Sequence, residues 1–581
     1  MSGTAMTTTH TVENQPPPLA DVNLYAIDRP LAEGLAREGG GWGKADVAAL
    51  GVRVGSSAYL ETIGKANATL PVLRTHDRFG NRIDEVEFAD AWHELMTVAK
   101  GAALHSLPWS EPKLGAHVVR AALHYVFSQG EQGPSCPIAM TFAAVPALRH
   151  QKEIADEWVP RLLDTHYDRR FIPAPKKSSA LMGMAMTEKQ GGSDVRANST
   201  KAAPIGAGGP GGEYELTGHK WFCSAPMCDA FLTLAYTEKG LSCFFVPRFL
   251  PDGTRNRIFI QRLKDKLGNK TNASSEIEYH RTWARMVGPE GRGVATILEM
   301  VHHTRLECII GSAAFMRASF TQALHHVQHR RAFQRRLIDQ PLMRAVIADL
   351  AVEGEAAVAL MLRVARGFDE AQAGKNSAFA RIATPVAKYW ICKRVAQTVL
   401  EALECLGGNG YVEEGPMARL YRDAPLNGIW EGSGNVICLD VLRALEREPE
   451  SRDALMAELG QARGADKRFD ALVAALDGDL AKHNGTIGGE LAARHLVERM
   501  ALALQASLLL RHAPNAVADL FCAARLAEGG GLAFGALPAG AAVDPVIERA
   551  AFDADAVRTR GKGDEIRVLP IDSGAHSRAR L

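Results

Sequence analysis

A change of texture along the chain limits the folds open to it. Through residues 45–170 the pattern is helical. Val86, Trp92, Met96 and Ala99 fall near a 3.6-residue period, and stretches such as Leu107-Pro108-Trp109 read as punctuating loops. Between residues 180 and 287 short runs rich in β-branched and aromatic residues take over, at 214–217, 231–236, 242–246, 257–261 and 276–279. Gly, Pro, Asn and Asp separate them, which is the pattern of a small β-barrel or sandwich. From residue 294 to 445 the helical period returns, with Ile391, Val395, Val399 and Leu403 four apart on one face ahead of Gly407-Gly408. Helix, β, helix predicts a mainly α protein with a central β domain.

The expected boundaries follow. A partly disordered N-terminal arm takes residues 1–42, polar and Thr-rich as far as the three prolines ending at Pro18. A helical domain takes 43–179, a β-barrel domain 180–290 and a second helical domain 291–445. A helical extension follows at 446–545, with a Gly/Ala/Pro-rich loop at 529–543, and then a flexible basic tail at 546–581.

Composition removes several classes. Of the 581 residues 46% are hydrophobic and 23% charged, as in an ordinary globular protein. A net charge of +1 gives no whole-molecule pull toward nucleic acid or membrane, so any such contact must come from a local patch. Nine cysteines without a C-x-x-C pair read as reduced thiols in a cytoplasmic protein. Neither a signal peptide nor an apolar run long enough to span a bilayer is evident. Gly206-Ala-Gly208-Gly-Pro-Gly211 matches a dinucleotide fingerprint only on paper, since Pro210 interrupts it and no helix follows. No metal-ligand spacing occurs, and the adjacent pairs His302-His303 and His325-His326 point in different directions on their helices.

Three segments carry chemistry. Residues 421–435, YRDAPLNGIWEGSGN, set Glu431 between a Trp and a Gly in a loop joining two helices. A carboxylate held there in a partly dry cleft has its pKa raised and serves as a general base near neutral pH. Residues 186–195, MTEKQGGSDV, bring Thr187, Gly191, Gly192 and Ser193 together, where amides and hydroxyls can approach a flat polar ring or a phosphate. Residues 404–411, ECLGGNGY, close a helix with a Gly pair.

In this order the segments resemble the acyl-CoA dehydrogenase flavoprotein family. Five of its patterns occur here: the 186–195 loop, Lys220-Trp221-Phe222, Arg330-x-x-Phe333 with Gln340, Gly407 to Tyr411, and Trp430-Glu431-Gly432-Ser433. The likeness covers roughly residues 50–445. Within the family, the QPPPL…NLY opening (Gln15 to Tyr25), the IWEGSGN loop and the extension past residue 445 resemble the branch that serves the bacterial adaptive response to DNA alkylation.

The resemblance implies the family's three-part fold with a four-helix-bundle C-terminal domain, FAD as cofactor, an acyl-CoA-like substrate and a homotetramer. It implies flavin contacts from Met186, Thr187, Gly192, Ser193, Trp221, Phe222, Trp430 and Asn435. The family usually places Thr two residues after this Trp. Here Cys223 stands there and Ser224 follows, and Ser224 is favoured because a thiol donates poorly. Arg330, Phe333, Gln340, Glu404, Gly407 and Gly408 resemble residues that reach a neighbouring subunit's FAD. Glu431 matches the catalytic base. An alternative base position on an earlier helix holds Thr304, before Arg305, with Glu307 a distant substitute. The resemblance also implies double-stranded DNA binding by the extension. Residues 451–581 balance to about −1, yet Arg443, Arg447, Arg463, Lys467 and Arg468 form a stripe interleaved with acids.

Overall fold

The structure is a computed structural model that describes residues 9–482, 487–527 and 531–553. Helices α1 (Arg29–Arg37), α2 (Lys44–Val54) and α3 (Ser57–Ala68) open the chain. Their starts are written locally: the Asp28 carboxylate accepts from Leu31 N at 3.1 Å, and Ser56 Oγ accepts from Tyr59 N at 3.2 Å. A hairpin, β1 (Val72–His76) and β2 (Arg82–Glu87), precedes α4 (Asp90–Gly101), α5 (Leu107–Ser110), α6 (Ala116–Ser128), α7 (Ser135–Leu148) and α8 (Lys152–Leu163). The turn into α6 needs glycine. Gly115 has φ +82°, and a Cβ there would meet Gly39 O at 2.2 Å.

Seven strands form the middle: β3 (Met182–Ala185), β4 (Lys201–Ile205), β5 (Glu213–Ser224), β6 (Ala230–Thr237), β7 (Gly240–Pro247), β8 (Ile258–Leu263) and β9 (Ser274–Val287). Antiparallel pairs β4–β5, β5–β9, β9–β7 and β7–β6 close into a barrel through the bridge Lys201↔Tyr236. The expected β runs lie in β5 to β9, and the paper match to a dinucleotide fingerprint is the loop between β4 and β5.

The helices after the barrel are long. α9 (Gly293–His329), α10 (Pro341–Gln372) and α11 (Ser377–Cys405) pack on one another. After α12 (Gly408–Tyr411) and α13 (Met417–Asp423), α14 (Gly434–Arg447) lies along α11. The extension supplies α15 (Pro449–Gly460), α16 (Lys467–Lys482), α17 (Ile487–His512), α18 (Asn515–Arg525) and α19 (Asp544–Ala550). It does not stand apart: α17 packs on α10, α11 and α14, and α19 on α10.

Five expectations change. Val86 belongs to strand β2 rather than to a helical period, and Leu107-Pro108-Trp109 is a helical turn. The described part of the arm is tied in place: Arg331 N donates to Asn14 Oδ1 at 2.8 Å, Asn14 Nδ2 to Arg331 O at 2.9 Å, and His325 Nε2 lies 2.8 Å from Pro17 O. The described part of the 529–543 segment is irregular but held, with Gly535 N donating to Asp349 Oδ2 at 2.9 Å. The tail expected at 546–581 begins within α19, where Arg549 pairs with Glu33 and Glu355; residues 554–581 lie outside the described residues. Among the described residues no helix is long and apolar enough to cross a membrane, and no group of side chains suits a metal.

Candidate active site

Glu431 sits in a turn that an ordinary loop would not adopt. Its φ is +58° and that of Gly432 is +100°. A non-glycine residue there costs about 1–3 kcal/mol and persists only where its surroundings enforce it. Here they do. Lys388, from α11, donates to Trp430 O at 2.9 Å and also to Gly432 O. Arg305, from α9, donates to Glu431 O at 3.2 Å and pairs with Asp440 at 2.6 Å. The indole of Trp430 donates to Asn427 Oδ1 at 2.9 Å. Two buried cations thus take the carbonyls on both sides of Glu431 as well as its own, and they turn its side chain toward α9.

There Thr304 Oγ1 donates to Glu431 Oε2 at 2.7 Å. Burial raises the Glu431 pKa above the ordinary value, and the Thr304 hydrogen bond and the charges of Lys388 and Arg305 only partly oppose it. Glu307, one turn further on, is engaged away from Glu431, by Arg120 and His124. Burial pushes its pKa up, but Arg120 and His124 outweigh that and hold it at about 2. His302 and His303 pack among Trp109, Phe142 and Phe368, and burial lowers the His303 imidazole to about 4.

The end of β5 carries Cys223 and Ser224. Strand alternation sends Cys223 into the core, fully buried, and leaves Ser224 partly exposed with its hydroxyl 3.2 Å from Ser274 Oγ. Burial pushes the Cys136 thiol up to about 11; Lys266, Asn272 and Ser224 pull it down, and the Glu431 charge is also within its reach.

The 186–195 loop is anchored from within. Glu188 and Lys220 are fully buried and paired at 2.7 Å. Burial pushes the Glu188 carboxyl up, but Lys220, Ser199 and Thr200 outweigh it and hold it at about 2. Burial lowers the Lys220 ammonium to about 8 against the pull of Glu188. Trp221 N donates to Thr187 O at 2.8 Å, so the loop runs beside β5, and Met186 O accepts from Asn198 at 3.0 Å. The hydroxyls of Thr187 and Ser193 make no hydrogen bond among the described residues, and Gly192 is exposed between them. Lys264 Nζ lies 3.2 Å from the centre of the Trp221 ring and covers half-exposed Phe222 as well. Open hydroxyls beside a glycine, next to a partly open indole, fit a flavin ring edge and a pyrophosphate.

A second cluster lies elsewhere. Arg330 is 26 residues beyond Thr304 on or just past α9, about 39 Å along the helix axis. It donates to Asn14 O at 2.7 Å. Phe333 has φ +51° and is 92% exposed, and Gln340 donates to Ala332 O at 3.1 Å. Glu404, Gly407 and Gly408 are exposed at the end of α11, and the arm touches the next residue, Asn409, through Gln15 at 3.4 Å. The arm thus joins the Arg330 loop and the Gly407-Gly408 turn into one surface, separate from Glu431 in the same chain. Asn435 is exposed, its Oδ1 accepting from Arg494 of the extension at 2.8 Å.

Of the basic stripe, Arg443, Arg447, Arg463 and Lys467 are exposed and enter no ion pair among the described residues. Arg468 differs, because Asp466 and Asp519 bind its guanidinium at 2.6 and 2.7 Å. The holding roles of Thr304, Arg305, Lys388 and Glu188 carry no signal in the sequence.

Fold and site together define an acyl-CoA dehydrogenase. The profile of the acyl-CoA dehydrogenase middle domain matches residues 183–282, that of the C-terminal domain residues 291–446, and that of the adaptive response protein AidB N-terminal domain residues 14–169. The chain belongs to the acyl-CoA dehydrogenase family and carries the AidB type of N-terminal domain; membership makes it an FAD-dependent oxidoreductase. It is 44% identical over 526 residues to the putative acyl-CoA dehydrogenase AidB of Escherichia coli, covering 90% of this chain and 96% of that one. It is 32% identical to acyl-CoA dehydrogenase family member 11 of Caenorhabditis elegans over 69% of this chain and 66% of that one. The solved structure of C. elegans ACDH-11 in complex with C11-CoA superposes with a TM-score of 0.80 at 27% identity, over 92% of this chain and 97% of that one.

Proposed function

We propose that the chain removes the α-proton of a short or branched acyl-CoA with Glu431, at modest rate, and acts in the response to DNA alkylation damage. The observation that carries the base is the Glu431 carboxylate itself: forced into a left-handed turn, bonded by Thr304 and raised in pKa by burial. FAD, when bound, supplies the acceptor for the β-hydride. Glu431 takes the proton, Thr304 aims its carboxylate, and Lys388 and Arg305 keep the turn from relaxing. Met186, Thr187, Gly192, Ser193, Trp221, Phe222, Ser224 and Trp430 hold the flavin and exclude water, with Asn435 at the rim. Arg330, Phe333, Gln340, Glu404, Gly407 and Gly408 reach the FAD of a neighbouring subunit in a homotetramer. The span of about 39 Å along α9 between Arg330 and Thr304, the partner of Glu431, supports that reading. The complex of ACDH-11 with C11-CoA supports an acyl-CoA in the cleft.

The name of the E. coli relative and the adaptive-response N-terminal domain support the alkylation role. Double-stranded DNA meets the extension at Arg443, Arg447, Arg463 and Lys467, in the cytoplasm. The alternative is an ordinary dehydrogenase of branched-chain or fatty acid catabolism. Anaerobic titration of the FAD-loaded protein with a panel of acyl-CoAs separates the two. Slow bleaching by short or branched thioesters, lost in Glu431→Gln while FAD stays bound, supports the proposal. Fast turnover of one thioester without duplex binding favours the alternative, and no bleaching by any removes the dehydrogenase reading.

A further inference from the structure

A cavity of about 150 Å³ lies where the N-terminal helices meet the extension. Arg37 and Glu38 at the end of α1, Arg363 and Arg366 on α10, Glu458 on α15 and Arg511 on α17 form most of its wall. None of these residues belongs to the site above. Arg511 lies 17 residues, about 25 Å of helix, from Arg494 beside the active-site loop.

The wall is an arginine net with too few carboxylates. Glu38 is shared by Arg37 at 2.7 Å and Arg366 at 3.4 Å. Glu458 is shared by Arg363 at 2.8 Å and Arg511 at 2.6 Å. Glu370, behind the wall, takes Arg366 at 2.9 Å and Arg363 at 3.5 Å. Four guanidinium charges thus meet three carboxylates. The deficit also shows at the atoms: Arg37 Nη2 is buried and makes no hydrogen bond, and Arg363 Nη1 reaches only Glu370, at 3.5 Å. A buried, charged donor left unmet is a cost that a bound anion can remove. His512, also on the wall, adds no charge, because burial and then the charges of Arg37 and Arg511 lower its pKa. The Arg366 side chain, 43% exposed, opens the cavity to solvent.

Planar forks from several helices, fixed by shared carboxylates, in excess of them by one charge and with a buried donor of Arg37 left over, suit a polyvalent oxyanion better than a monovalent halide. We propose that this cavity binds a small phosphate-bearing anion, either inorganic phosphate or the phosphate of a phosphomonoester. Bound there, the anion links α1 and α10 to α15 and α17, and so fastens the extension to the body of the protein.

Calorimetric titration of the full-length, FAD-loaded protein with inorganic phosphate, in chloride buffer, tests it, with glycerol phosphate as a second arm. The expected result is one saturable site whose affinity falls about tenfold in Arg37→Gln and in Arg366→Gln. Phosphate raises the thermal midpoint of the unaltered protein and much less that of the variants. Glu38→Gln, which frees Arg37 and leaves Arg366 with Glu370 alone, tightens binding if it folds; the two arginine variants decide the matter if it does not. Tighter binding of glycerol phosphate identifies a phosphomonoester site, and tighter binding of inorganic phosphate a free-phosphate site. No saturable heat at millimolar phosphate, or equal affinity in the unaltered protein and both arginine variants, overturns the proposal.

Discussion

Thr304 Oγ1 lies 2.7 Å from Glu431 Oε2 and donates to it, although 127 residues separate the two in sequence. The helix position weighed above for an alternative base instead holds the Glu431 carboxylate in place. This gives a sign for the pH dependence. Glu431 must be ionised to take a proton, so flavin reduction rises with pH through its pKa, which burial holds above the ordinary value. The Thr304 hydrogen bond stabilises the ionised form. Thr304→Val removes it, so the acid limb of the rate profile moves to higher pH, and the plateau rate falls about tenfold through loss of aim. Stopped-flow reduction across pH measures both; a limb that stays where it was means that Glu431 is not the titrating base.

Glu188 and Lys220 make a second long-range pair, with neither side chain exposed. Removing one partner leaves an uncompensated buried charge, at a cost of about 3–5 kcal/mol, while removing both costs less. Glu188→Gln is expected to lower the thermal midpoint and speed FAD loss from the 186–195 loop, and adding Lys220→Met is expected to recover part of the midpoint. The pH sign follows from the depressed Glu188 pKa. The pair's contribution is present above the unfolded carboxyl value of about 4.5 and is lost as pH falls toward about 2. Acid-melting curves of the single variant should therefore be flatter over that window than those of the unaltered protein.

The barrel was legible because its strands alternate in burial and are bounded by turn residues. β5 runs Tyr214 and Leu216 inward and Glu213 and Thr217 outward. The β1–β2 hairpin was not, because β2 reads Arg-Ile-Asp-Glu-Val-Glu and charge hides its alternation. Asp84 is buried all the same, paired with Arg82 at 2.7 Å. Glu431 and the loop around it stand out as a motif, and donor strength alone favours Ser224 over Cys223; the structure adds that Cys223 is buried and Ser224 partly exposed. The supports of Glu431 do not stand out. Lys388 and Arg305 sit on helices whose sequence shows only a cation near an apolar face, and their targets are backbone carbonyls of a distant loop. The arm hides for the opposite reason: its polar composition matches a solvated lead-in, while its anchors at Arg330 and Arg331 lie more than 300 residues away.

Asn14 is the clasp of that arm. Its φ of +58° is tolerated because its side chain makes two bonds to the Arg331 backbone. Asn14→Ala loses both bonds and keeps the strain, so the arm should be cut sooner in limited proteolysis. If the Arg330 loop and the Gly407-Gly408 turn contact a neighbouring subunit's FAD, cofactor dissociation should also quicken, by about threefold to tenfold. Faster cleavage with unchanged FAD release would separate the arm from the cofactor.

The DNA reading needs a test that leaves the fold intact. Cutting the chain after α14 would strip Leu455, Leu459, Val497, Met500 and Leu504 from the core and uncover α10 and α11, so a failure to bind would mean nothing. Alanine at Arg443, Arg447, Arg463 and Lys467 together removes four exposed charges that support no ion pair among the described residues. Duplex affinity should fall, and the slope of log K against log salt should shrink by about 0.9 for each phosphate that is no longer neutralised. FAD content and flavin reduction should stay as they were. Adding Arg468→Ala should change little, because Asp466 and Asp519 already neutralise that side chain. Binding that survives the fourfold variant with the same salt slope would take the extension's described surface out of DNA recognition.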